Sequence, residues 1–411
     1  MPESNLRINL KRLLERIDAL AQIGPIEGGG VCRLALSDED KAGRDLVVRW
    51  MKEAGLKVSV DRIGNVVGVR PGRVDGPAVM TGSHIDTVRT GGRYDGNLGV
   101  LAGLEVIETL NDANVSTEHP VAVAFFTNEE GARFAPDMMG SLGYVGGMTP
   151  EEILATVGID GTSVEENLQR IGYAGEAPVG PVKPRAFVEL HVEQGPVLEE
   201  EEITIGAVEG VQGISWTEYT ITGVSNHAGT TPMRLRHDAG YAAASIAAEA
   251  RRIATDFGGD QVATVGVIEL KPNLVNVIAN RALMTVDLRN TDESLLQQAE
   301  RRMAAHVEEV AAAEGVEIAS RSLARFEPVE FDPEMVARVE GYAKAHGHSV
   351  RRMPSGAGHD AQMFARVCPT SMVFVPSVDG ISHNVKEYTK PEDIEAGANV
   401  LLSVLTELAE A

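Results

Sequence analysis

The chain has only two cysteines in 411 residues, Cys32 and Cys368, far apart. That excludes a disulfide framework and a thiolate zinc site, and it points to a reducing compartment. Aromatic residues make up 4%, which suits an Ala/Val/Gly-rich α/β enzyme better than a base-stacking protein. Positive charge is scarce: 37 Lys and Arg face 60 Asp and Glu, for a formal charge of −23. Such a field opposes nonspecific binding to nucleic acid or to anionic membranes. An anionic substrate would have to be captured by a local arginine. No run of about 18 apolar residues is present, so no membrane span is expected. The opening MPESNLRINLKRLLERIDAL reads as an amphipathic helix without the apolar core of a signal peptide. The expected location is therefore cytoplasmic.

What is present is ordinary globular material, 43% hydrophobic and 24% charged, in a chain too long for one core. Ser37 heads a helix (SDEDKAGRDLVVRWMKEAG) with acids in its first turn and Gly55 as its stop. Short strands are expected at 57–60, 65–69 and 78–81, and a buried one at VAVAFFT, 121–127. Residues 139–176 read as a polar, helical, peripheral insertion. Another strand is expected at 186–190, then helix 333–346, a turn SGAGHDA, strand 371–375 and a closing helix from Pro391. This alternation predicts an α/β fold with a mostly parallel sheet. Between 214 and 325 the order changes to β-α-β-β-α-β, the ferredoxin-like pattern. The expected domains are 1–212 and 327–411, forming one α/β body, with 213–326 inserted as a ferredoxin-like α+β domain.

Polar residues collect at the ends of the buried runs. TGSHIDTVRTGGRYDGNLG, residues 81–99, holds His84, Asp86 and Asp95 before a helix-like run from Asn97 to Leu110. Open α/β sheets build their sites on such strand-to-helix loops. Glu129 and Glu130 follow VAVAFFT, His191 and Gln194 lie in HVEQG, and His383 lies in SHNVKE. Two or three His with two carboxylates form an N/O donor set for Zn²⁺, Mn²⁺, Co²⁺ or Ni²⁺, and spacing alone does not choose among them. A carboxylate bridging two ions would give a two-metal hydrolase. Gly28-Gly29-Gly30 lacks the residues of a phosphate loop and reads as a turn.

These stretches carry a family resemblance. GSHIDTVRTGGRYDGNLGVLAGLE, FTNEEGARF, ELHVEQGPVLE, NHAGTTPM, the N…VDLRN spacing, SGAGHDA and SHN occur in order from about Leu34 to the C-terminus. Together they resemble the hydantoinase/carbamoylase family of dinuclear metal amidohydrolases, relatives of the zinc aminoacylases and exopeptidases. Ala132 is a small departure, since Ser is common there in relatives.

The resemblance implies two divalent ions. His84, Asp95 and His191 would hold one, with Asp95 bridging, and Glu130 and His383 would complete the other. Asp86 would orient His84, and Glu129 would be the general base. His227 would stabilise the oxyanion from the partner subunit of a homodimer. Asn276 and Arg289, on one hairpin, would hold a substrate carboxylate, while Gln194 and His359 would contact the amide end. The inserted domain would then serve as dimer interface and lid. The implied reaction is hydrolysis of an N-carbamoyl-L-amino acid to the amino acid, CO₂ and ammonia. Allantoate and N-carbamoyl-β-alanine are alternative substrates bearing the same ureido and carboxylate groups. An N-acyl deacylase or dipeptidase, and a non-catalytic metal-binding protein, are the remaining readings.

Overall fold

The structure is a computed structural model and describes residues 6–411. It forms two compact units, Met1–Gly210 with Glu330–Ala411, and Val211–Val329. The first five residues of the expected N-terminal helix lie outside the described residues; the helix itself runs Leu10–Ala21, capped by the Asn9 side chain.

In the first unit the chain lays down β1 (Lys57–Val60), β2 (Val66–Arg70), β3 (Val79–His84), β4 (Val121–Phe126), β5 (Ala186–Val192) and β6 (Ile205–Val211). The second unit supplies β7 (Gly213–Thr222), β8 (Val262–Lys271), β9 (Arg281–Asn290) and β10 (Glu317–Phe326). The chain then returns through β11 (Val329–Glu330), β12 (Val350–Ser355) and β13 (Thr370–Val375). The main sheet runs β1-β2-β4-β3-β5-β13-β6-β11, with β12 paired to β6. Its centre, β4-β3-β5-β13, is parallel, and β2 and β6 join it antiparallel. Every residue of β3, β4, β5 and β13 is buried, as expected of strands covered by helices on both faces. Helix Asn97–Asp112 and the closing helix Pro391–Glu410 pack on one face of β3, β5 and their neighbours. The first of these is buried on nearly every side.

Two strands run further than periodicity suggests. β3 continues through His84 and β5 through Val192, so His84 and His191 are strand residues rather than loop residues. The 139–176 stretch resolves into three short helices, Met139–Tyr144, Pro150–Ala155 and Val164–Ile171.

The second unit is a four-stranded antiparallel sheet in the order β10-β7-β9-β8. Helices Ala239–Phe257 and Glu293–Glu314 pack on one face over a core that includes Ile221, Ile246, Met284, Leu288 and Leu296. β9 alternates buried and half-buried residues along its length, because only one face is covered. This is the ferredoxin-like arrangement expected of the insert. Among the described residues, no helix is long and apolar enough to cross a membrane.

Candidate metal centre

The four central strands all end on the same edge of the sheet. Register pairs His84 with Phe126 and His191 with Phe374. His84 and His191 therefore project from strand ends, while Glu129, Glu130 and His383 hang on the loops that follow β4 and β13. Asp95 precedes helix Asn97–Asp112, whose N-cap Gly96 has φ +65°. A Cβ at Gly96 would run into the His84 ring, so only glycine lets this turn pass beneath the imidazole.

Three donor triads result among the described residues: Glu189, His191 and His359, and two that share Asp95, namely His84, Asp95 and His191, and Asp95, Glu130 and His383. His191 Nε2 lies 3.2 Å and His84 Nε2 3.6 Å from Asp95 Oδ1. His383 Nε2 lies 3.3 Å from Asp95 Oδ2 and 3.2 Å from Glu130 Oε2. Each Asp95 oxygen thus faces a different triad, as a bridging carboxylate must. His84 Nδ1 bonds the Asp86 carbonyl at 2.9 Å and His191 Nδ1 the Val192 carbonyl at 2.8 Å. With the ring protons held there, both Nε2 atoms turn toward Asp95, and His191 Nε2 also accepts the Gly96 N–H at 3.2 Å. A lone pair facing a carboxylate needs a positive charge between them. Two ligands on one tetrahedral ion at about 2.0–2.1 Å stand about 3.3–3.4 Å apart, close to the separations seen here. The donor set fits a pair of divalent ions.

The electrostatics agree. Burial alone would lower the His84 ring, but Glu129 and Asp95 override it and hold it well above the ordinary value. Burial works to raise Asp95, yet bonds from His191, His383 and His84 keep it well below the carboxylate range. Asp95 and Glu130 push His383 up to about 10. Glu129 is driven well above its usual value by burial, with Asp360, Glu130 and Asp95 adding repulsion. The pocket holds more buried acid than its imidazoles neutralise comfortably, and so attracts cations.

Asp86 does more than its position suggests. The bond to His84 comes from its backbone, while its carboxylate accepts the N–H groups of Glu129 and Glu130 at 3.3 Å each. It therefore fixes the loop bearing both glutamates. Glu129 Oε2 lies 3.4 Å from His84 Nε2. Gln194, in the left-handed region at φ +59°, donates its amide to Asp95 Oδ2 at 2.9 Å and Ser382 Oγ at 3.1 Å. The buried His359 ring meets His191 edge-on and bonds Ser355 Oγ at 2.9 Å; burial and His191 hold it well below the usual value.

In the second unit, His227 Nδ1 accepts the N–H groups of Gly229 and Thr230, leaving the proton on an exposed Nε2. The loop of His227 pairs with that of Asn276 through Ala228 N to Asn276 O and Ile278 N to Asn226 O, 2.9 Å each. Arg289 lies elsewhere. It is opposite Val262 at the far end of β9, eight residues beyond Arg281, which at about 3.3 Å per residue is about 26 Å from the Asn276 loop. Asn276 lies in the turn of the β8–β9 hairpin and Arg289 near the far end of β9, so the length of an extended strand separates the two within one copy of the chain. Arg289 forks onto Asp287 at 2.9–3.1 Å and stacks over Trp216, 5.7 Å to the ring centre.

Several residues at the site carry no sequence signal. Arg33 is fully buried and donates to Ile85 O at 2.7 Å and Asn97 Oδ1 at 2.8 Å, tying down the segment between His84 and Asp86. Glu189 accepts Ser83 Oγ and Ala361 N, and burial beside it pushes Asp360 up to about 8. These are single polar residues in unremarkable local patterns, and only the packed sheet brings them together.

Residues 80–407 match the model of the peptidase family M20/M25/M40. The chain belongs to that family, in its hydantoinase/carbamoylase amidase branch. It is a metal-dependent amidohydrolase, and its buried His, Asp and Glu clusters are consistent with the dinuclear site of the M20 family. It is 42% identical over 410 residues to an N-carbamoyl-L-amino-acid amidohydrolase from Rhizobium meliloti, covering 100% of this chain and 99% of that one. It is 36% identical to an allantoate amidohydrolase from Escherichia coli, covering 96% and 97%. A crystal structure of a hydantoinase/carbamoylase-family amidase from Burkholderia multivorans superposes with a TM-score of 0.96 at 49% identity, covering 99% of both chains.

Proposed function

We propose that this amidohydrolase cleaves the ureido C–N bond of N-carbamoyl-L-amino acids, giving the amino acid, CO₂ and ammonia. The observation that carries the reading is the pair of triads sharing Asp95, with Glu129 beside Glu130. Full-length similarity to a carbamoyl-amino-acid amidohydrolase supports the substrate class. Allantoate is the second reading, supported by full-length similarity to an allantoate amidohydrolase.

His84, Asp95 and His191 would hold one divalent ion and Asp95, Glu130 and His383 the other, with Zn, Mn, Co and Ni all suited to the donors. When bound, such ions supply Lewis acidity that polarises a carbonyl and eases deprotonation of water. Glu129 takes a proton from the attacking water and returns it to the departing amino-acid nitrogen as the C–N bond breaks. The carbamic acid left behind decomposes to CO₂ and ammonia. His227, with its proton on Nε2, donates to the developing oxyanion, and Arg289, aligned by Asp287 and Trp216, binds the carboxylate. Gln194 and His359 line the amide end. Because about 26 Å of strand separates Arg289 from the Asn276 loop, a substrate of amino-acid size reaches both only if two copies of the chain contribute. That separation supports a homodimer in which the second unit serves as interface and lid.

The test is a side-by-side release assay with N-carbamoyl-L-amino acids, N-carbamoyl-β-alanine, allantoate and N-acetyl amino acids, on protein stripped with chelator and then reloaded with Mn²⁺, Co²⁺, Ni²⁺ or Zn²⁺. Ureido substrates should turn over after reloading only. Full activity in chelator would remove the metal reading, and preference for the acetyl compounds would remove the ureido reading.

A further inference from the structure

His383 is the least supported of the five proposed ligands. Its side chain is 51% exposed, its backbone is in the left-handed region at φ +52°, and it belongs to no helix or strand. Its Nε2 nevertheless stands 3.2–3.3 Å from two carboxylates. Something outside the loop must hold it there.

Two contacts do so. Four residues on, Glu387 is 5% exposed, and its Oε1 accepts Tyr94 N at 2.9 Å and Asp95 N at 3.1 Å. Its other oxygen faces Ser382 Oγ at 3.5 Å, which also lies 3.5 Å from Asp95 Oδ2. Gly92 makes room for this carboxyl, since a Cβ at Gly92 would fall on it. The second contact is Val385, whose methyls sit against Gly28 and Gly30; a Cβ at Gly30 would come within 2.6 Å of both Val385 and the Gly91 carbonyl. Val31 and Gly91 exchange backbone bonds at 2.9 and 3.1 Å. The glycine turn at 28–30, the Gly91–Asp95 segment and the His383 loop thus interlock, and the carboxylate of Glu387 joins the last two.

We propose that Glu387 is a positioning residue of the metal centre. By taking the backbone N–H groups of Tyr94 and Asp95 while anchored in the His383 loop, it sets the bridging carboxylate and His383 in one frame, so the triad of Asp95, Glu130 and His383 is assembled before an ion enters. The glycine turn is the seat against which Val385 holds that loop. This inference rests on the two-metal reading above.

The experiment is a calorimetric Mn²⁺ titration of chelator-stripped full-length protein, with electron paramagnetic resonance reporting coupling between the two ions. Glu387→Ala should bind one Mn²⁺ and weaken the second by about 10–100-fold. Glu387→Gln should stay close to wild type, because its amide oxygen accepts the same two N–H groups. Gly92→Ala should resemble Glu387→Ala, since its Cβ displaces the carboxyl, and it carries the test if Glu387→Ala fails to fold. In Glu387→Gly/Gly92→Ala the methyl has room, because every atom it would strike belongs to the Glu387 side chain, so the double variant should be no worse than Glu387→Gly alone. Wild-type second-site affinity and spin coupling in Glu387→Ala or Gly92→Ala would overturn the proposal, as would additive losses in the double variant. Fewer than two Mn²⁺ bound by the wild type would instead defeat the two-metal reading.

Discussion

At the scale of single residues, the site depends on which atom of each side chain is already committed. The ring protons of His84 and His191 are bound to backbone carbonyls, so exchanging either ring for Asn or Gln would lose the aimed lone pair. Glu129 touches His84 but belongs to none of the donor triads. Glu129→Gln should therefore keep both metals, checked by metal analysis, while kcat falls by about 10²–10⁴-fold. Near-normal turnover would remove Glu129 as the base. Arg289 bears on KM. Arg289→Ala should raise KM strongly for ureido substrates with a carboxylate and little for the matching amides, whereas equal losses on both would mean a structural role. Asp287 aligns the guanidinium, so Asp287→Asn should raise KM for the same carboxylates, by less than Arg289→Ala does.

At the scale of elements, the site is as firm as the four parallel strands that end beneath it and the helix that starts at Gly96. Helix Asn97–Asp112 buries Leu98, Leu101, Leu104, Val106 and Ile107 completely and packs against β3, β4 and β5. A cavity here has little room to collapse. Leu101→Ala should cost about 2–5 kcal/mol, read as a lowered urea midpoint of the metal-free protein. Ser37 caps helix Asp38–Glu53 by accepting Asp40 N, and Ser37→Ala should cost only about 1 kcal/mol. If the two substitutions cost the same, the helix over the sheet is less tightly packed than its burial indicates.

At the scale of the whole molecule, the acidic surface, −23 over 411 residues, makes local arginine the means of capturing an anion. The separation of Arg289 from His227 and Asn276 turns assembly into a kinetic question. His227→Ala and Arg289→Ala chains, mixed after dissociation, allowed to reassociate and assayed at a carboxylate-substrate concentration at which neither alone turns over, should regain roughly a quarter of wild-type activity. Half of random pairs are mixed, and one of their two sites is intact. No recovery would mean that one copy supplies both residues.

The alternation of buried runs and helical periods was enough to predict an α/β body with a ferredoxin-like insert, because period-two and period-3.6 patterns are local and solvent exposure imprints them directly. The ordered motifs, through the family resemblance they carry, implied His84, Asp95, Glu130, His191 and His383 as ligands, and the fold brings their donor atoms within reach of one another. What tertiary structure alone decided lies across long separations. It spent the Asp86 carboxylate on the Glu129–Glu130 backbone, 43 and 44 residues away. It parted Arg289 from Asn276 by the length of a strand, and it brought Glu387 onto the Asp95 amide from 292 residues away. Hydrogen bonds formed across such distances leave no periodic trace in the chain, because only closure of the sheet places their partners side by side.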